Sequence, residues 1–369
     1  MRSLLRAFAP GWTALRQGLP GVFIAIALAA VARGMAHTLA LGVGGLPKIP
    51  LSPVMCAVLL GMLWRNSIGV PAWARSGLNW AMHRVLRVGI ALVGLRLTLG
   101  GATAIAAAAL PIALSCLTVA LLAGIGTARL LAVPRRLGLP LAIGTAVCGC
   151  TVVVAVAPLI RARHAETAFA VTCVVLFGCI AMLFYPWVAG HFLAASPVHA
   201  GIFLGTAIHD TSQVIGAALI YSQQAAVPAA LAAASVAKLL RNLSIAVLVP
   251  ATAWLAQRHE ARSGSPAPTG QRTPLVHLFV LAFVGFIVVR TAGDTLWHGS
   301  ATLWPALVNT GYTASDLFLT CGMTAVGLSV SFTDMWRIGW RPLAAGLVVA
   351  SLVGACSLLL TLAMLHSVT

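Results

Sequence analysis

Apolar residues along this chain gather into about eleven stretches of roughly 20 residues, the length of helix that crosses the hydrocarbon core of a bilayer. They fall at 20–44, 51–65, 85–101, 104–130, 139–160, 167–190, 200–221, 227–256, 275–293, 315–333 and 341–366. One substantial polar stretch interrupts them, Gln257 to Pro274, with Ser263, Gly264, Ser265, Pro266, Pro268 and Gly270. That composition is typical of a flexible linker. The pattern predicts an all-α polytopic membrane protein with one transmembrane domain over 1–369, about 9–11 membrane segments, and a cytoplasmic linker at 257–274.

Two of the apolar stretches carry small and polar residues at membrane depth. Gly144-Thr-Ala-Val-Cys-Gly-Cys-Thr151 lies in 139–160, and Gly205-Thr-Ala-Ile-His-Asp-Thr-Ser-Gln-Val214 in 200–221. Both open with Gly-Thr-Ala and a β-branched aliphatic, then diverge into Cys148-Gly149-Cys150 and His209-Asp210-Thr211. Such segments predict helices that are broken or re-entrant, which survive only where protein or a water-filled cavity satisfies the freed backbone groups. Two related breaks in one chain point to a transport site.

A second repeat is longer in range. Gly89-Ile-Ala-Leu-Val-Gly-Leu-Arg-Leu-Thr-Leu99 aligns with Gly322-Met-Thr-Ala-Val-Gly-Leu-Ser-Val-Ser-Phe332 at an offset of 233, and each copy leads into one more long apolar helix. Basic residues cluster before the first segment, at Arg65/Arg75/Arg84/Arg87, Arg135/Arg136, Arg161/Arg163, Arg258/Arg262/Arg272 and Arg337/Arg341. The loops near 100–103, 191–199 and 221–226 have no Lys or Arg. With the N-terminus in the cytoplasm, every basic loop falls inside if 139–160 re-enters from the cytoplasm and 200–221 from outside. If both cross, Arg161 and Arg163 land outside, one exception to a statistical rule. In the re-entrant topology the two copies of the longer repeat run in opposite directions, the inverted-repeat arrangement of several secondary transporters.

Of the 369 residues, 60% are hydrophobic and 8% charged, against roughly a quarter charged in soluble domains. The net charge of +17 is scattered over short loops, which fits the positive-inside rule and argues against a nucleic-acid partner. All eight cysteines lie in apolar segments and read as reduced thiols, not an exported disulfide framework. Arg2, Arg6 and Arg16 precede the first apolar run without a clean cleavage site after it, which predicts a retained first helix. The expected setting is a bacterial inner membrane, multi-pass, with a cytoplasmic N-terminus.

Six acidic residues occur: Glu166, Asp210, Glu260, Asp294, Asp316 and Asp334. Only Asp210 sits near the middle of an apolar segment, where a carboxylate costs on the order of 2.5–3.5 kcal/mol and so is expected to face a cavity and a partner. A structural salt bridge is the plain alternative. His209 beside it, and Thr211, Ser212 and Gln213 after it, favour a binding and proton-coupling role for Asp210 and His209. Lys238 and Arg241 interrupt another apolar run at i, i+3, with Asn242 next, so both cations share one helix face. They are natural partners for an oxyanion, Arg as a planar fork and Lys as a point charge. Pairing of Lys238 with Asp210 is the alternative. Arg96 is a third cation in an apolar setting, balanced between structural and binding roles. Cys148 and Cys150 could ligate a soft metal, but a lone Cys-x-Cys favours small-residue packing, and no metal or other cofactor is expected. Nothing resembles a nucleotide-binding loop.

Gly144-Thr-Ala-Val-Cys-Gly149, Gly94-Leu-Arg-Leu-Thr98, His209-Asp-Thr-Ser-Gln-Val214 and Lys238-Leu-Leu-Arg-Asn242 resemble the YeiH-like family of bacterial inner-membrane proteins, which carries a sulfate-exporter designation. The resemblance runs from about Gly21 to the C-terminus and implies a transporter related to broken-helix, inverted-repeat carriers. The chain departs from that family's Cys-Gly-Ala-Ser pattern, with Cys148-Gly149-Cys150-Thr151 in its place. The function expected is secondary transport of a small anion, sulfate or a related sulfur oxyanion or organic anion, and not an enzymatic activity. Its substrate contacts are expected from Gly144, Thr145, Cys148, Gly149, Thr151, His209, Thr211, Ser212, Gln213, Lys238, Arg241, Asn242 and Arg96. A passive anion channel, and an embedded thiol enzyme using Cys148 and His209, are the other readings. The partners expected are the anion, the lipid bilayer and a second copy of the chain in a homodimer.

Overall fold

The computed structural model describes residues 12–41, 51–261, 278–297, 303–333 and 339–368, and every regular element among them is helical. Among these residues six helical stretches are long and apolar enough to cross a membrane: Leu19–Leu41, Leu99–Leu130, Ala165–Phe192, Ala229–Thr252, Phe279–Leu296 and Trp340–Ser367. The chain is an all-α polytopic membrane protein. Its contacts group it into two compact units, Met1–Leu92 with Asn309–Ser331, and Val93–Val308 with Phe332–Thr369.

The first unit holds α1 (Trp12–Leu41), α2 (Pro53–Ser67), α3 (Ala72–Trp80), all but the last residue of α4 (Leu86–Val93) and most of α14 (Leu303–Ser329). Ser52 caps α2, its hydroxyl accepting from the Met55 N–H at 3.1 Å, and Pro53 takes the first helical position, where its missing N–H is harmless. Ala25 and Leu28 of α1 pack with Ala74 and Leu78 of α3 and with Cys321, Ala325 and Leu328 of α14. Helices in a membrane associate through close packing of small residues, and these contacts follow that rule.

The second unit holds α5 (Leu99–Leu130), α6 (Arg135–Ala146), α7 (Cys150–Val156), α8 (His164–Phe192), α9 (Pro197–Ala207), α10 (Thr211–Gln224), α11 (Ala229–Leu243), α12 (Ile245–Ala261), α13 (Leu278–Leu296) and α15 (Trp340–Val368). α11 lies along α9, and α5 packs against α6, α11 and α15. Gly205 makes the α9–α11 approach close: a Cβ there would stand 2.6 Å from the Ala234 carbonyl oxygen.

Both apolar stretches expected to be interrupted are interrupted. Residues 139–160 divide into α6 and α7 plus a 3-10 turn at Ala157–Ile160, and 200–221 divide into α9 and α10. At 1.5 Å per residue α6 is about 18 Å long and α9 about 17 Å, too short to cross a core of roughly 30 Å alone. Arg163, exposed at the N-cap of α8, sits just beyond the first of them. A cysteine at position 163, in a chain without native cysteines, is expected to react with an impermeant thiol reagent only from the cytoplasmic side. Reaction only from outside would place the preceding segment across the membrane.

Three boundaries differ from the sequence pattern. The break expected near 102–103 falls at Leu97 and Thr98, because the extended Thr98 caps α5, its hydroxyl accepting from the Gly101 N–H at 3.3 Å. Gly100 and Gly101 are then absorbed into the first turn. α14 begins at Leu303, well before 315, since Asn309, Tyr312 and Asp316 dilute the apolar signal without ending the helix. α12 runs on to Ala261, so 257–261 is helical, and the rest of the expected linker lies outside the described residues.

The longer repeat is visible in the backbone. Leu97 and Val330, 233 residues apart, each leave the helix after donating to the carbonyls of Gly94 (3.1 Å) and Gly327 (3.2 Å), which are themselves 233 apart. Helical structure resumes at Leu99 in one copy and at Phe332 in the other.

Candidate functional site

The two broken helices match residue for residue at an offset of 61. α6 stops at Ala146 and α9 at Ala207; α7 starts at Cys150 and α10 at Thr211. Thr145 donates its hydroxyl to the carbonyls of Leu141 and Ala142, and Thr206 to those of Ile202 and Phe203. The shared Gly-Thr-Ala therefore ends each helix in the same way. The junctions differ at the next N-cap. Gly149 has φ of +67°, a left-handed backbone that glycine adopts without cost. Its counterpart Asp210 is extended and caps α10, one carboxylate oxygen accepting from the Ser212 N–H at 2.9 Å and from the Ser212 hydroxyl.

Ending two helices inside a membrane protein leaves carbonyls that no water can reach. Lys238 and Arg241, one turn apart on α11 and fully buried, supply the donors. The Lys238 ammonium donates to the carbonyls of Val147 (2.8 Å), Ile208 (3.0 Å) and His209. The Arg241 guanidinium donates to those of Ala146 (2.7 Å), Thr145, Thr206 and Ile208 (3.3 Å). Thr145 and Thr206 are equivalent across the 61-residue repeat, as are Val147 and Ile208. Each cation thus bridges the same atoms of both breaks, and each sits at a negative helix end, where cations are favoured. All three ammonium protons of Lys238 meet a carbonyl.

On the N-terminal side the junction is more open. Asp210, Thr211, Ser212 and Asn242 are half-buried, and Asn242 donates to the Thr211 hydroxyl at 3.1 Å. A Cβ on Gly149 would lie 2.9 Å from the second carboxylate oxygen of Asp210, so the two N-caps face each other. Cys148 is buried in the first break, and Gly144 packs so closely on Val153 that a Cβ would come within 2.5 Å of it. His209 is buried beside the cations, with no hydrogen bond of ordinary geometry to its ring nitrogens among the described residues. Gln213 turns toward α8, donating to the Val175 carbonyl at 3.0 Å and to the Cys179 sulfur, in space that Gly178 leaves open. Arg96 ends the 3-10 turn Gly94–Arg96, which packs against α13 and touches α11. The Thr151 backbone belongs to α7, and its side chain lies outside the described residues.

The structure therefore brings Thr145, Cys148, Gly149, His209, Asp210, Lys238 and Arg241 to one junction, with Thr211, Ser212 and Asn242 at its open edge. Sequence reasoning did not identify the carbonyls of Ala146, Val147, Thr206 and Ile208. Backbone acceptors have no residue signature, although the cations' depth and their one-turn spacing hinted at a fixed partner.

A membrane protein with two interrupted helices joined at their ends by buried cations is the class this unit defines. A family profile described as conserved hypothetical protein 698 matches residues 18–346, and the chain belongs to that family, which includes the UPF0324 membrane proteins. UPF0324 membrane protein RSc1111 of Ralstonia nicotianae is 33% identical over 322 residues, covering 82% of this chain and 83% of the relative. UPF0324 membrane protein OB3406 of Oceanobacillus iheyensis is 31% identical over 331 residues, 88% of this chain and 92% of the relative. A UPF0324 membrane protein of Bacillus cereus is 29% identical over 330 residues, 89% and 86% of the two chains. No solved structure matches the chain.

Proposed function

We propose that the chain is a secondary transporter of a small anion, with its site at the junction of the two broken helices. The observation that carries this reading is the bridge from Lys238 and Arg241 to equivalent carbonyls of both breaks. It puts two interrupted segments at one place, as in transporters that bind substrate at such breaks. The charge balance supports an anion: among the described residues the two buried cations meet one carboxylate, Asp210. With their protons directed at carbonyls, Lys238 and Arg241 act through their field. The donors for an anion are then the hydroxyls of Thr211 and Ser212, the Asn242 amide and the backbone of the first turn of α10. Sulfate or a related sulfur oxyanion fits the small, hydroxyl-rich edge, in a bacterial inner membrane with the N-terminus in the cytoplasm.

The test is uptake of radiolabelled sulfite, sulfate and thiosulfate into proteoliposomes, with and without an imposed pH gradient. Accumulation above equilibrium with at least one of them, driven by the gradient, is the expected result. Equilibration without accumulation would make the protein a passive anion channel, and no flux of any sulfur oxyanion would remove the substrate assignment.

A further inference from the structure

Away from the broken-helix junction, the second unit contains a cavity of about 900 Å³ among α5, the start of α6, the turn Ala157–Ile160 and α12. This is near the upper end of the range for ligand pockets. Its walls are largely apolar, with Leu121 and Ile125 from α5 and Leu248 from α12. Its polar end is formed by Arg129, Arg135 and Arg136, all exposed, and none of the residues lining it is acidic. From Leu121 to Arg129 the wall runs about 12 Å along α5 at 1.5 Å per residue. Since α5 is of membrane-crossing length and Arg129 lies in its last turn, this is the depth from a lipid headgroup into the acyl region.

We propose that this cavity is a binding site for an anionic phospholipid, with its phosphate held by Arg129, Arg135 and Arg136 and an acyl chain along Leu121, Ile125 and Leu248. A free oxyanion has no use for apolar walls, and a neutral lipid has no use for three arginines without a carboxylate among them. Charge and shape together select an amphiphile with a negative head, the ligand that basic pockets between membrane helices take. Arg135 and Arg136 also occupy the first turn of α6, where no acidic residue offsets the positive end of the helix dipole. A phosphate at the mouth offsets both the side chains and the helix end. The site is separate from the transport reading and stands or falls without it.

The experiment uses the full chain, purified in neutral detergent and titrated with phosphatidylglycerol, phosphatidylcholine or inorganic phosphate. Retained lipid is read by native mass spectrometry, and the thermal unfolding midpoint is read in parallel. Phosphatidylglycerol is expected to remain bound and raise the midpoint, while phosphatidylcholine and inorganic phosphate do neither. Losing about fivefold in affinity per arginine, R129Q/R135Q/R136Q should bind phosphatidylglycerol on the order of 100-fold more weakly, and R129K/R135K/R136K far less so. Ile125→Trp, which fills the apolar wall and leaves every arginine in place, should also weaken retention. It keeps the test decisive if the triple glutamine variant does not fold. Equal retention of phosphatidylcholine, unchanged binding in either kind of variant, or equal protection by inorganic phosphate would overturn the lipid site.

Discussion

Replacing Arg241 by methionine is expected to lower the thermal unfolding midpoint of the detergent-solubilised protein by 10 °C or more, with no anion present. Four hydrogen bonds to helix-end carbonyls disappear, and three of those carbonyls, on Thr145, Ala146 and Thr206, have no donor from Lys238. A buried acceptor stripped of its partner costs about 1–3 kcal/mol, and a kilocalorie moves the midpoint of a unit this size by about 2–4 °C. Arg241→Lys should fall between the two, since one ammonium cannot span what the planar fork spans. The rival reading, in which Arg241 serves only to grip substrate, predicts lost uptake with an unmoved midpoint. Measuring both on the same preparations separates the two roles, and an unmoved midpoint in Arg241→Met would end the structural assignment.

The second large effect is expected at Asp210. Asparagine is as good an N-cap as aspartate, so Asp210→Asn should keep the first turn of α10 and leave the midpoint within a few degrees. What it removes is, among the described residues, the carboxylate whose charge acts on the junction's cations. In the coupling mechanism we propose, an anion arriving at the open edge competes with Asp210 for the positive field of the two cations, and Asp210 is the group that carries the coupled proton. Asp210→Asn imitates the protonated form, so the variant should bind anion yet fail to accumulate it against a gradient when driven by a pH difference alone. Accumulation by Asp210→Asn under that drive would exclude Asp210 as the coupling group and pass the role to His209.

The breaks were legible in the sequence because glycine and threonine are conspicuous in an apolar run, and because the Gly-Thr-Ala motif occurs twice. The helix ends follow that motif in the same register at both places. The cations were legible as important and not as to purpose. Side-chain chemistry pointed Lys238 and Arg241 toward an oxyanion, whereas in the structure their protons meet main-chain oxygens, which every residue has and no sequence pattern marks. Boundaries failed where capping outweighed composition. Thr98 starts a new helix where the apolar pattern carried the preceding segment on to 101, and Asn309 and Tyr312 lie within α14 although they precede the apolar stretch that begins at 315.

The two-sided grip of α11 also limits how this protein can move. Separating the end of α6 from the end of α9 would strip donors from three carbonyls at once, whichever end α11 leaves, in surroundings where water cannot replace them. A functional conformational equilibrium typically spans only a few kcal/mol, less than that separation demands. The ends of α6 and α9 and the length of α11 between them must therefore travel as one body, a rivet through three helices. In the transport reading proposed above, access to the junction changes by displacing that body or the helices around it, with the rivet intact throughout.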